Sequence, residues 1–364
     1  MDKKVAIMAA VVVLLAAAII IVGIVLFRSD DSESYSTYVY DATGSDTETT
    51  TEAATELTYS GTNPLTGESN YNEEYEDDRP VAVVVENTPE ARPQWGLTTP
   101  DIIIETEVEG GITRMLWIYA SVNNMPSKVG PVRSARDVFV ELASGFGALF
   151  VHYGGSDSSY TLLSSVGLDD VDGLYDSGYF SRDTSRSVSS EHTAYTTCSW
   201  IANAFSGFGY SDTVASSYSN LYSFSSESSA ATGSDCTSVS VYFSDDFIHT
   251  FTYNSSDNLY YNYLNSEEMV DEYGTQSSFT NIVILFTTIT NTGDSSGHLD
   301  ISLSSGSGYL VSGGKVVAIK WSKGSTSSAL RLYDTSGNEL VLGIGKTWIG
   351  ITRNGYSSYC SFTA

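Results

Sequence analysis

Hydrophobic and polar positions divide the chain into three stretches. Residues 5–27, "VAIMAAVVVLLAAAIIIVGIVLF", run without a charge and are long enough to cross a bilayer as one helix. Residues 29–62 show no apolar periodicity and few large apolar groups. From Asn63 onward, short apolar runs recur between clusters of Gly, Pro, Ser and Asn, the pattern of strands separated by turns. "RPVAVVVENT" (79–88), "PDIIIETEVE" (100–109) and "TRMLWIYASV" (113–122) predict three strands, the last two joined at Gly110-Gly111. Helical spacing follows from Ser134 to about Ser144, then a strand at 148–154, and helices at 157–166 and 193–205.

After a polar stretch at 225–236 the strand signal takes over. "SVSVYF" (238–243), "LYYNYL" (259–264), "NIVILFTTIT" (281–290), "GYLVSGGKVVAIKW" (308–321) and "KTWIGIT" (346–352) carry it. The expected class is therefore α+β: a mixed α/β domain over 63–228, then a smaller all-β domain over 237–358. Both stand behind a single transmembrane helix (1–28) and a disordered, acidic stalk (29–62).

Charge supports that layout. Lys3 and Lys4 precede the apolar run, whereas Arg28 is soon followed by Asp30, Asp31 and Glu33. The positive-inside rule then keeps the N-terminus cytoplasmic and puts the main domains outside the cell. A cleaved signal peptide would have a shorter apolar core and a small-x-small site after it. An uncleaved signal anchor fits better. The net charge is −27, with 44 acidic against 17 basic residues, which argues against a general nucleic-acid role. Residues 29–78 contain 14 acidic residues and no basic one, so about half of that charge lies in the stalk and the residues just after it.

Against this background "SKVGPVRSARDVFVELA" (127–143) is unusual, because Arg133 and Arg136 sit at a predicted helix start. Ser134 and Asp137 have the spacing of a capping box, in which serine and aspartate satisfy the first backbone N–H groups. Capping does not account for the arginines, since positive charge opposes the dipole at a helix start. They either pair with carboxylates such as Glu105, Glu107 or Glu109, or bind an outside anion with forked hydrogen bonds. Six of the ten arginines lie between residues 92 and 186. Arg114 and Arg182 join Arg133 and Arg136 as candidate ligand-binding residues. Gly154, Gly155 and Ser156, in a strand-to-helix turn, are candidates for holding an anion through backbone N–H groups. His152, His192 and Asp137 are the candidate proton carriers, if the site is catalytic.

Several chemistries are missing from the pattern. There is no phosphate loop, HExxH, GxSxG or cysteine knuckle, and no metal or cofactor is expected. His249 and His298 look incidental. Cys198, Cys236 and Cys360 lack metal-type spacing and read as three separate thiols, although an exported chain allows two of them to pair. No cysteine lies beside the apolar run, which favours a peptide anchor over a lipid one.

The motifs "NPLTG" (63–67), "RPVAVVVEN" (79–87), "ARPQWGL" (91–97), "EGGITR" (109–114), "GPVRSARD" (130–137) and "HYGGS" (152–156) follow one another in a distinctive order. With "FSRDTSR", "EHTAY", "GYLVSGGKVVAIKWSK" and "GKTWIGI", they resemble the YerB-like lipoprotein family, a two-domain family of unknown function (domain of unknown function 3048). The resemblance covers residues 63–353. It implies a membrane-tethered, surface-exposed protein of a Gram-positive bacterium, and it places a shared site at Arg114, Arg133, Arg136, His152, Gly155 and His192. Typical members carry a lipid-modified cysteine, from which this chain departs. The expected function is binding of an anionic cell-wall component in an arginine-lined cleft. An envelope enzyme acting on a phosphate-containing substrate and a protein-interaction scaffold are the alternatives.

Overall fold

A computed structural model describes residues 58–215, 218 and 220–364. The expected membrane anchor and nearly all of the stalk lie outside the described residues. Among those described, no helix is long and apolar enough to cross a membrane.

The principal elements are β1 (Val81–Glu86), β2 (Ile102–Glu107), β3 (Thr113–Tyr119), α1 (Asp137–Gly145), β4 (Leu149–His152), α2 (Asp157–Val166), β5 (Asp170–Asp172) and α3 (Cys198–Phe208). They continue as β6 (Ser238–Ser244), β7 (Phe247–Asn254), β8 (Leu259–Leu264), β9 (Asn281–Thr287), β10 (Ser305–Ser312), β11 (Lys315–Ser322), β12 (Arg331–Asp334) and β13 (Thr347–Arg353). The class is mixed, with few helices and many strands. The predicted strands fall where the apolar runs lie. β7, in the weaker pattern "FIHTFTYN", escaped the sequence reading.

One eleven-stranded sheet organises the molecule. From Ser234–Asp235 its order runs β11, β10, β9, β13, β2, β3, β1, β4, β5, with β12 pairing beside β11. β13 lies between β9 and β2, parallel to both, with Ile349 opposite Val283 on one side and Ile104 on the other. Sequence segments before and after residue 225 thus share one sheet. Every residue of β1, β2, β3 and β9 is buried, which explains the apolar runs within them, such as Val81–Val85 and Ile102–Ile104: strands covered on both faces need no polar alternation.

On one face α1 contributes Phe139, Val140 and Leu142 to a core with Ile104, Leu116, Leu285 and Ile349. On the other, Ile201 and Phe205 of α3 share a core with Trp117, Ile284 and Trp348. That core also takes Val241 and Phe243 of β6, Phe251 of β7 and Tyr260 of β8. These three strands belong to a second, six-stranded sheet. β6 and β8 alternate buried and part-exposed residues, as strands with one solvent face do.

A buried polar node joins the two sheets. Glu105 of β2 and His249 of β7 are almost wholly buried, with His249 Nε2 3.1 Å from Glu105 Oε1. Thr113 and Asn87 donate to the same oxygen at 2.6 and 2.8 Å, and Trp348 Nε1 donates to Oε2 at 3.3 Å. The other ring nitrogen of His249 lies 2.8 Å from Asn262 Oδ1. Burial pushes the Glu105 carboxyl upward, but His249 and these donors outweigh it and hold the group below the usual range. His249 is therefore a central strut rather than an incidental residue.

Two local expectations are corrected. The capping box does not form: α1 starts at Asp137, and its N-cap, Arg136, makes no side-chain cap. Ser134 instead donates to Tyr153 O at 3.0 Å, and Asp137 accepts from Ser158 at 2.8 Å. The strand-to-helix turn after β4 runs close enough to offer both side chains tertiary partners. The third helix begins at Cys198 rather than 193, because Ala194–Tyr195 pairs with Ser181–Arg182.

Removing one partner of a buried, hydrogen-bonded charge pair leaves the other uncompensated, at about 3–5 kcal/mol. Glu105→Ala and His249→Ala are each expected to lose stability of that order in urea unfolding. The double variant should lose clearly less than the sum.

Candidate functional site

β1, β2, β4 and β5 run in one direction, with β3 antiparallel between β1 and β2. Their carboxyl ends therefore open on one edge of the sheet, where α/β folds commonly place ligands. Glu86 ends β1, Glu109 follows β2, and Arg114 opens β3 opposite Glu86. Between them the β2–β3 turn uses Gly110 at φ 77° and Gly111 at φ 74°, in the left-handed region where glycine carries no Cβ penalty. The segment leading into α1 brings Arg133 and Arg136 to the same edge. The turn Ser190–His192 brings Glu191 and His192.

Three arginines and three glutamates meet there. Arg136 grips Glu109 in a fork, with Nε 2.9 Å from Oε2 and Nη2 on Oε1. Its positive charge at a helix start is thereby neutralised. Arg114 donates to Ser134 O at 2.8 Å and stands 3.6 Å from Glu109 Oε1. Burial would raise the Glu109 carboxyl, but the Arg136 hydrogen bonds and the charges of Arg114 and Arg136 hold it down at about 2. Burial, helped by the neighbouring Arg136 charge, pushes the Arg114 guanidinium down to about 9. Two cations share one carboxylate at this point.

The second half of the cluster centres on Glu86, which is 1% exposed. His192 Nδ1 lies 3.0 Å from its Oε1, Arg133 Nε 3.5 Å from the same oxygen, and Thr88 donates to it at 3.1 Å. Arg133 Nη2 donates to Glu191 Oε2 at 2.8 Å. That contact lowers the Glu191 carboxyl below its usual range. Among the described residues, neither Glu86 Oε2 nor Arg133 Nε has a hydrogen-bond partner, and both atoms are buried. A buried polar atom left unpaired is costly.

Of the expected residues, the fold brings together Arg114, Arg133, Arg136 and His192. His152 is fully buried, with Nδ1 2.8 Å from Gly154 O and Nε2 3.0 Å from Asp170, and it stacks on Phe150. It shares no partner with the arginines, and neither does Asp137. The Gly154 N–H is taken by Asp172 Oδ1 at 2.6 Å. Ser156 caps α2 by accepting from Ser159 N at 3.2 Å, and the side chain of Ser159 closes the space over Gly155. The N–H groups of Gly154 and Ser156, expected to cradle an anion, are thus engaged in the fold itself, that of Ser156 on Ala135 O at 3.4 Å. Arg182 lies over the Tyr153 ring at 4.5 Å and donates to Ser190 O, beside the Glu191 turn. Glu86 and Glu191 were missed by the sequence reading. The available signal for Glu86 was a lone charge ending the apolar run "VAVVVE". A cavity of ≈ 450 Å³ near the start of β1, lined by Leu65, Tyr218 and Phe224 and edged by Glu76, Asp77 and Asp78, offers no cation among the described residues.

Comparison with known proteins agrees with the motif order. The N-terminal domain of the protein family of unknown function DUF3048 matches residues 65–211, and the C-terminal domain of DUF3048 matches residues 239–349. The chain belongs to the DUF3048 family. Within that family it is 46% identical to Bacillus subtilis (strain 168) YerB, a protein whose name marks it as a candidate lipoprotein. That alignment spans 149 residues, 40% of this chain and 43% of YerB. The crystal structure of YerB from Bacillus subtilis superposes with a TM-score of 0.73 at 32% identity, covering 83% of this chain and 99% of the YerB chain. The two DUF3048 matches are separated in sequence by residues 212–238, yet β9 and β13 share one sheet with β2.

Glu109→Gln removes a charge-assisted fork, a contact worth roughly 1.5–3 kcal/mol. A carboxyl depressed in the fold stabilises it above the unfolded pKa and loses that contribution as pH falls through the folded value. The variant is therefore expected to be less stable than wild type at neutral pH. The difference should shrink as pH drops from 4.5 towards about 2, as read by urea unfolding at both ends of the window.

Proposed function

We propose that this protein is an extracytoplasmic, membrane-tethered binding protein that takes an anionic cell-envelope ligand on Arg133, in exchange for the carboxylate of Glu191. The observation that carries this reading is the inequality among the three glutamates. The side chains of Glu86 and Glu109 are 2% and 24% exposed, whereas that of Glu191 is 52% exposed. Glu109 is fixed by a fork, while Glu191 sits on a short surface turn and touches Arg133 from outside. Exposed ion pairs are worth about 0–1 kcal/mol, so a competing anion displaces Glu191 at little cost. Arg136 and Arg114 then supply positive field rather than direct contacts.

Tethering is supported by the charge-free run at 5–27 behind Lys3 and Lys4 and by the lipoprotein name of the Bacillus subtilis relative. Binding is favoured over turnover because His192 is the one expected proton carrier beside the arginines. The Glu86–His192 contact at 3.0 Å is the observation on the side of an enzyme, since a carboxylate can orient a histidine for proton transfer.

Isothermal titration of the full-length protein with purified anionic wall-polymer fragments tests the reading. Glu191→Gln is expected to tighten binding about two- to fivefold, the strength of an exposed pair, and Arg133→Ala to abolish it. Unchanged binding by Arg133→Ala would rule the site out, and release of a cleaved or transferred product would favour the enzyme.

A further inference from the structure

The charge count and the unpaired atoms of the cluster narrow the ligand further. This step rests on the exchange of Glu191 for a ligand. Arg114, Arg133 and Arg136 balance Glu86, Glu109 and Glu191 one for one. Taking Glu191 away leaves the charge of Arg133 unmatched on its outer side. A dianion would put excess charge beside the buried Glu86, whose carboxylate lies 3.5 Å from Arg133 Nε and has little water to screen it.

Hydrogen bonding adds a second condition. Arg133 Nε lacks an acceptor and Glu86 Oε2 lacks a donor, on two side chains in contact through Nε and the other oxygen, Oε1, at 3.5 Å. A simple carboxylate replacing Glu191 can bridge Nη2 and Nε of Arg133 in the forked manner guanidinium favours. It brings no donor, however, and leaves Glu86 Oε2 unpaired. A hydroxyl next to the acid group supplies that donor. An acceptor-only ligand is then penalised by the unmet group, as sites built to pair a hydroxyl discriminate against analogues that lack it.

The surroundings suit a polyhydroxylated ligand. Arg182 has no carboxylate partner among the described residues; it lies over the Tyr153 ring and holds Ser190 O. The Ser190–His192 turn is therefore flanked by cations, Arg182 on its backbone and Arg133 on Glu191. When the turn yields, the positive field of Arg182 and Arg133 remains.

We infer that the ligand is a singly charged acid carrying an adjacent hydroxyl, of the sugar-acid type, whose acid group takes the place of Glu191 on Arg133 while its hydroxyl donates to Glu86 Oε2.

Wild-type full-length protein titrated separately with glucuronate, cyclohexanecarboxylate, methyl glucoside and glycerophosphoglycerol tests this. Glucuronate is expected to bind at least about tenfold tighter than cyclohexanecarboxylate and than the uncharged glucoside. The phosphodiester arm tells whether the acid is a carboxylate or a phosphodiester: the carboxylate source is upheld if glucuronate binds tighter, and the phosphodiester overturns it if that binds tighter. Equal binding of the two carboxylates overturns the hydroxyl contact while leaving the exchange at Arg133 standing. Binding of the glucoside as tight as glucuronate, or no binding by either carboxylate or by the phosphodiester, overturns the inference. In Glu86→Gln, checked for folding by its thermal transition, the preference for glucuronate over cyclohexanecarboxylate should fall to within about twofold. A preference kept in full would also overturn it.

Discussion

β13 is the strand on which the rest of the sheet depends. It arrives last among the long strands, yet it occupies the middle, with β9 on one side and β2 on the other. Without it, β2 and β9 would each present a row of unpaired backbone groups inside a doubly covered sheet, where no water reaches to replace them. Its side chains bind the layers as well: Trp348 enters the core between the two sheets and donates to Glu105. At its carboxyl end, Arg353 donates to Glu107 Oε2 at 2.9 Å from Nε and 2.7 Å from Nη2. That contact secures the end of β2, from which Glu109 departs. Glu109 therefore rests on a strand more than two hundred residues away in sequence.

The arginines that stand out in an acidic chain now have specific partners. Arg136 answers Glu109, and its cost at a helix start is offset by the fork. Arg114 is buried beside both and shares the same carboxylate, so that corner carries more positive than negative charge. Arg133 is held differently, between a buried Glu86 and an exposed Glu191. The contrast between a locked pair and a yielding one in the same cluster is what separates structural arginines from an exchangeable site.

Much of the fold was legible because doubly buried strands write themselves as unbroken Val and Ile runs, as in "VAVVV" and "NIVILF". The hairpin at Gly110-Gly111 was legible for the same kind of reason, since two adjacent residues at positive φ call for glycine. β7 was not, because in "FIHTFTYN" the buried face reads Phe247, His249, Phe251, with a histidine in the middle and Ile248 on the part-exposed side. The membership of β13 in the centre of the sheet was also hidden, since strand order is a long-range property. At the site, local pattern found the arginines but mistook Ser134 and Asp137 for a cap; both side chains are claimed by the turn that follows β4. His152 looked like a proton carrier by type and place, yet its burial against Phe150 and Asp170 gives it a packing role. Glu191, set in the polar loop "SVSSEHTAY", gave no local sign that it would meet Arg133.

The central claim is that Arg133 exchanges an internal carboxylate for an external one while Arg136 remains locked. The side-chain Nε–H resonances of the two arginines, followed by ¹H–¹⁵N NMR as glucuronate is added to full-length protein, test it directly. The account predicts a saturable shift of the Arg133 resonance, with that of Arg136 unmoved. Shifts of equal size at both arginines, or none at Arg133, would contradict it.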